Sequence, residues 1–299
     1  MMMRLAIKYY STLLRVVVFC LGSLLLPLVT ACATVPLPQA ASLSSSKRLQ
    51  PSDGLLTKAR VNVEKDAILA AKTVLIIPTS FSAAAKAAPL TETERNVVAN
   101  AVDRSLCIGL SDRFKIVVPP QKADLTVSAS VASIVPTGRT AAAASKVLSV
   151  GTTIVTATGV VDTAVPIPSL RIPIGLGGLA LEAEAVDPAG NQKAAMLWAR
   201  GANSFIGTTR VSTVGDAYEL ASSFGNDFSE LLVKGASPFG SNLPSLSSRH
   251  RLVSLLGGAP KESACDAFGR VGVTNILAGS IGLPPEWTDK GAQGVRLAP

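Results

Sequence analysis

The chain has 299 residues, of which 48% are hydrophobic, 16% charged and 4% aromatic, with one His and four Cys. That length suffices for one large core or two small ones, and the composition excludes a wholly disordered chain. A single histidine excludes a His-rich metal site, and so few aromatics argue against a base-stacking nucleic-acid groove.

Arg4, Lys8 and Arg15, with no acid among residues 1–15, all precede the uncharged run 16–29, VVVFCLGSLLLPLV. This is the pattern of an export signal, in a run too short for a bilayer span. Val29-Thr30-Ala31-Cys32 resembles a bacterial lipobox, with small side chains ahead of the scissile bond and a thiol to carry diacylglycerol. The expectation is a signal peptide over 1–31 and a mature chain beginning at acylated Cys32. Several acyl chains, at about 0.8 kcal/mol per buried CH₂, make such anchoring nearly permanent. Ala33 follows the cysteine where an inner-membrane retention signal would have Asp, which implies the outer membrane, on its periplasmic face. Loss of the three basic residues takes the formal net charge from +8 to +5, a mild excess without a basic block.

Residues 32–54, rich in Pro, Ser and Ala, read as a flexible tether reaching up to roughly 70 Å. Thr73–Phe81 is a short apolar run broken by Pro78, a strand ending near the proline. Thr91-x-x-Glu94 is a capping box. After it Val98, Val102 and Leu106 recur as one stripe of a helix over 92–112, with Arg95, Asp103 and Arg104 on the other side. Lys115–Val118 is a short strand. Over 124–135 Leu125, Val127, Ala129 and Val131 alternate with Thr126, Ser128 and Ser130, a half-buried strand. Strands 179–186 and 192–204 flank the turn Asp187-Pro188-Ala189-Gly190. The stripe Ala217, Leu220, Ala221, Phe224, Phe228, Leu231, Leu232 marks a helix over 214–234, with Thr213 as N-cap and Gly235 beyond its end. The elements predict an α+β domain over 55–235: a mixed or mainly antiparallel sheet of about five strands with two long helices on one face. Residues 236–299, rich in Gly, Pro and Ser, read as an irregular C-terminal wrap.

Cys20 leaves with the signal and Cys32 is acylated, so Cys107 and Cys265 remain as a pair in an oxidising compartment. A disulfide between them would close a long loop, worth about 5 kcal/mol at most. Glu182 and Glu184 share one strand face with roots roughly 6–7 Å apart. Paired carboxylates serve glycosidases, but neighbours on one strand lack the contrast of environment that separates acid from base. They read as solvated or ion-paired residues with Arg200 as partner, and with Trp198 and Arg200 they form a candidate binding face. His250 is the sole imidazole, and no Gly-x-Ser-x-Gly elbow supplies a nucleophile for it. Gly175-x-Gly177-Gly178 enters a strand instead of opening a helix, so close backbone packing is favoured over phosphate binding. Trp287 is expected to pin the tail to the domain or to line a groove. The stretch 147–181 carries only Asp162 and Arg171 as charges. It reads as a packed insertion or small-residue loop, or as a hairpin entering the membrane on oligomerisation, although its alternation is poor for a pore strand. No catalytic residue, metal ligand or cofactor is assigned beyond the lipid on Cys32.

Several stretches together resemble a family of proteobacterial lipoproteins classed as a domain of unknown function. They are Leu49-Gln50-Pro51-Ser52-Asp53-Gly54, Ala123-Asp124-Leu125, and Glu182-Ala183-Glu184-Ala185-Val186-Asp187 with Gly190 and Trp198-Ala199-Arg200. The tail from Cys265 through Gly269-Arg270 to Leu283-Pro284-Pro285-Glu286-Trp287-Thr288-Asp289 resembles a subgroup of it. The resemblance covers about residues 49–235 and implies an envelope lipoprotein, with no catalytic residues to carry over. The expected role is a non-enzymatic binding or scaffolding component of the outer membrane. Its partners would be the membrane and an envelope protein or the cell wall, not nucleic acid, and its oligomeric state stays open. The alternatives are an oligomeric pore or secretion accessory using 147–181 and, less favoured, an envelope hydrolase.

Overall fold

A computed structural model describes residues 35–139, 175–203, 210–240, 258–270, 277–279 and 281–289. The signal 1–31, Cys32, His250 and residues 147–174 of the proposed pore segment lie outside them. The strands are β1 Gln50–Pro51, β2 Lys58–Val63, β3 Thr73–Ile76, β4 Ser80–Phe81, β5 Lys115–Val117, β6 Leu125–Val135, β7 Gly178–Val186 and β8 Gln192–Gly201. They form one sheet in the order β1-β2-β8-β7-β6-β3-β5, with β4 also on β6. The neighbours from β1 to β6 are antiparallel, and β3, β4 and β5 join in parallel.

The fold is therefore α+β with a mixed sheet, but it has eight strands where the sequence suggested about five. Two causes account for the difference. Pro78 does break the apolar run 73–81, and the chain resumes pairing beyond it, so one expected strand becomes β3 and β4 on the same edge of β6. β1 has only two residues, and β2 is a short six-residue alternation, Lys58-Ala59-Arg60-Val61-Asn62-Val63, that was not among the expected strands. In β2 only Ala59 and Val61 are buried, between exposed Lys58 and Arg60, and it is pairing with β8 that orders them.

The helices are α1 Lys65–Ala70, α2 Ala83–Ala87, α3 Glu92–Leu110, α4 Gly215–Lys234 and α5 Pro285–Thr288, with a 3-10 turn at Ser263–Phe268. The α3 capping box forms in full: the Thr91 hydroxyl accepts from the Glu94 N–H, and the Glu94 carboxylate accepts from the Thr91 N–H. Helix α4 begins at Gly215 with Val214 as its cap residue, not Thr213, and ends at Gly235 in the left-handed region, φ 62°. Val98, Val102 and Leu106 of α3 and Phe224, Phe228 and Leu231 of α4 pack with Val127, Val131, Leu181, Met196 and Trp198 in one core. Among the described residues no helix is long and apolar enough to cross a membrane.

Arg95, Asp103 and Arg104 do not share a solvated side of α3, because Asp103 and Arg104 are buried. Asp103 accepts from the N–H and hydroxyl of Thr79 in the β3–β4 break. Arg104 makes a two-pronged pair with Asp289 at 2.7 and 3.1 Å, and the Tyr218 hydroxyl donates to the same carboxylate. The tail is thereby fixed at two points of α3, here and at the Cys107–Cys265 disulfide, whose Cα atoms lie 5.6 Å apart.

Where α3 meets α4, a Cβ on Gly225 would lie 2.6 Å from the Ser105 Cβ and 3.0 Å from the Leu106 N. Gly225→Ala should destabilise the protein by about 1–3 kcal/mol through overpacking, although alanine favours helix. Urea denaturation checks it, and an unchanged or raised midpoint would contradict this helix contact.

Candidate functional site

Alternation along β7 sends Leu181, Ala183 and Ala185 into the helix-covered core and Ala180, Glu182 and Glu184 to the opposite face. On β8, Met196 and Trp198 face the helices, while Ala195, Leu197 and Ala199 face away. The register pairs Glu182 with Leu197, Glu184 with Ala195 and Leu181 with Trp198. The expected binding face of Glu182, Glu184, Trp198 and Arg200 is therefore divided by the sheet. Arg200 pairs with Leu179, on the core side, and is not the partner of the glutamates.

Nor are the glutamates solvated: Glu182 is 3% exposed and Glu184 8%. Residues 35–49, expected as a free tether, lie as a strap across the outer sheet face. Val35 and Leu37 pack on Ala180 and Ala199, and Leu37, Ala40, Leu43 and Leu49 on Ala195 and Leu197. Between these contacts the strap supplies donors to the acids. The N–H groups of Ala41 and Ser42 donate to the Glu182 carboxylate at 3.1 and 2.7 Å, joined by the Ser42 hydroxyl. Ser44 donates to Glu184 through its N–H at 2.8 Å and its hydroxyl, and Gln192 Nε2 adds a third bond at 2.8 Å. Serines two apart thus meet glutamates two apart. Such a burial is tolerable because each carboxylate is surrounded by donors, every bond to the charged group being worth about 1.5–3 kcal/mol.

Beneath the sheet Trp198 is fully buried, edge-on to Phe224. Its Nε1 donates to Asp227 of α4 at 2.8 Å. Burial pushes the Asp227 carboxyl up to about 6, while the Trp198 hydrogen bond and the Arg200 charge pull it down. Burial likewise pushes Asp103 up to about 7 against its bonds from Thr79. Trp287 does not pin the tail. Its side chain is 70% exposed, and the neighbouring Glu286 and Asp289 hold the segment instead, through Ser212 and through Arg104 with Tyr218.

Chemically, the glutamates accept hydrogen bonds from the chain's own strap, and the one polar cluster built around Trp198 is closed over by α4. No group of three or more His, Cys, Asp or Glu with metal-holding geometry occurs among the described residues. Sequence reasoning missed Ser42, Ser44, Asp227 and the Arg104–Asp289 pair. The one available signal was the matched two-residue spacing of Ser42/Ser44 and Glu182/Glu184, which means nothing until the segments are known to touch.

Two outcomes follow from this geometry. Replacing Glu182 and Glu184 together by Ala should open the 38–48 strap to limited proteolysis while α3 and α4 stay helical by circular dichroism; persistent protection would refute the clasp. Trp198 emission should titrate with a midpoint near pH 6 as Asp227 ionises, and Asp227→Asn should remove that step. Because the folded-state value is raised, protonated Asp227 favours the fold below about pH 4, and this contribution is lost as pH rises through 6.

Solved structures similar to the chain include the PelC dodecamer from Paraburkholderia phytofirmans in space group P6. It is 11% identical, covering 60% of this chain and 98% of that one at a TM-score of 0.31. A single-substitution variant of the same dodecamer in space group C2 gives 11%, 60%, 98% and 0.30. A likeness that small carries no inference about this chain. Among curated proteins none matches it. The family described as "Protein of unknown function (DUF3313)" matches residues 38–228, a span that holds most of the strap, both glutamates, Trp198 and Asp227, and the chain belongs to that family.

Proposed function

We propose that the protein is a lipid-anchored component of the bacterial outer membrane, its domain facing the periplasm, where it binds or scaffolds another envelope component without catalysing a reaction. The observation that carries this reading is the buried Cys107–Cys265 disulfide, a covalent tie that persists in an oxidising compartment outside the cytoplasm. The lipobox Val29-Thr30-Ala31-Cys32 supports the anchor. The scaffolding role is supported by the way the polar residues nearest to a catalytic pattern are engaged: Glu182 and Glu184 receive bonds from Ala41, Ser42, Ser44 and Gln192.

Metabolic labelling with a radioactive fatty acid, followed by density separation of the membranes, tests the anchor. The native protein should take up label and band with the outer membrane. Cys32→Ser should take up none and appear in the soluble periplasmic fraction. An unlabelled native protein, or a variant that partitions like the parent, would overturn the reading.

A further inference from the structure

The strap fixes where the described N-terminal end meets the sheet. Gly178, the first residue of β7, has no room for a side chain because Val35 fills the space, a Cβ there lying 2.2 Å from the Val35 Cγ2. From this end the strap runs along β7, past Glu182 and then Glu184, to Arg48, which bonds the Gln192 carbonyl at 3.0 Å beside the hairpin. Val35 is three residues after Cys32, a reach of about 11 Å at most. Chain length alone thus limits a lipid on Cys32 to about 11 Å from Val35 at the β7 start.

The same pole gathers other chain ends. The Ala202 N–H bonds the Gly177 carbonyl, the Gly177 N–H donates to Asp216 at the start of α4, and the Thr137 N–H beyond β6 bonds the Thr213 carbonyl. Two residues before Thr213, the Val211 N–H bonds the Gly282 carbonyl, the Ser212 hydroxyl donates to Glu286, and Arg210 donates to the Leu283 carbonyl. The described tail residues 277–279 and 281–289 are thereby seated at this pole.

That stretch presents apolar side chains to solvent. Leu277 is 59%, Ile281 64% and Trp287 70% exposed, against seven large exposed hydrophobics among all described residues. The Ile281 N–H bonds the Leu277 carbonyl, which puts these two on one side of a helical turn. Trp287 is mounted between Glu286 and Asp289, both bonded to the domain, so the indole is held outward by a rigid support. An exposed indole suits the boundary between headgroups and acyl chains, and exposed aliphatic side chains on the same stretch suit the acyl side of it.

We propose that this pole, where the strap begins, lies on a phospholipid surface, with Leu277, Ile281 and Trp287 seated at the headgroup boundary. This rests on the reading of Cys32 as the lipid anchor. It turns that anchor from a leash into one of two contacts that orient the domain.

The chain's two tryptophans supply the test, since Trp198 is fully buried and Trp287 is exposed. The acylated full chain is reconstituted into phosphatidylethanolamine–phosphatidylglycerol vesicles with or without brominated acyl chains. Bromination should remove roughly half of the tryptophan emission, the Trp287 share, and Trp287→Phe should abolish that loss. Protein that floats with the vesicles but shows equal emission in both overturns the surface contact and leaves the anchor standing. Protein that does not float overturns both. Unquenched Trp287 emission that shifts to the blue with protein concentration assigns the patch to a second copy and also overturns the proposal.

Discussion

Two carboxylates in the middle of a sheet face cannot be left under apolar cover, since an unpaired buried charge costs far more than a domain has to spare. Glu182 and Glu184 occupy that position, and the outer face of this sheet is covered because the strap brings them donors. Its apolar residues alone, Val35, Leu37, Leu43 and Leu49, would bind a flat sheet of alanines and leucines in many registers. The acids permit one. Ser42 must sit over Glu182 and Ser44 over Glu184, and with that register set, Val35 falls on Gly178 and Arg48 on the hairpin.

On the other face the constraint is close approach. Gly225 lets α4 lie against Ser105 of α3, and this pair of helices forms the platform to which the tail is fastened by the disulfide and by Arg104 with Asp289. The sheet is thus sandwiched between an N-terminal strap and two helices, with the tail held over the helices. Both ends of the described chain are anchored by buried charged or covalent ties.

The same polar residues that suggest chemistry in the one-dimensional chain act here as architecture. Glu182 and Glu184 looked like a free pair because both lie on one strand face, and so they do. Trp198 and Arg200 looked like their neighbours because the hairpin brings β8 beside β7, and so it does. What separates them is the pairing register: Glu182 stands opposite Leu197, and the tryptophan next to it in sequence points through the sheet.

The two long helices, the alternation of β6 and the hairpin are written in local order alone, because each is set by local periodicity, a capping box or a turn with glycine at positive φ. The pairing of Cys107 with Cys265 was legible by elimination. That 35–49 is a strap, that β1 and β2 join the sheet, that Asp103 and Arg104 are buried and that Trp287 is not, became visible only in the folded chain. A Ser- and Pro-rich segment has too little apolar surface to order itself, and the six alternating residues Lys58–Val63 do not specify which strand they will join. Their order comes from partners more than a hundred residues away, Glu182 and Glu184 for the one and β8 for the other, and such contacts exist only once the chain has folded.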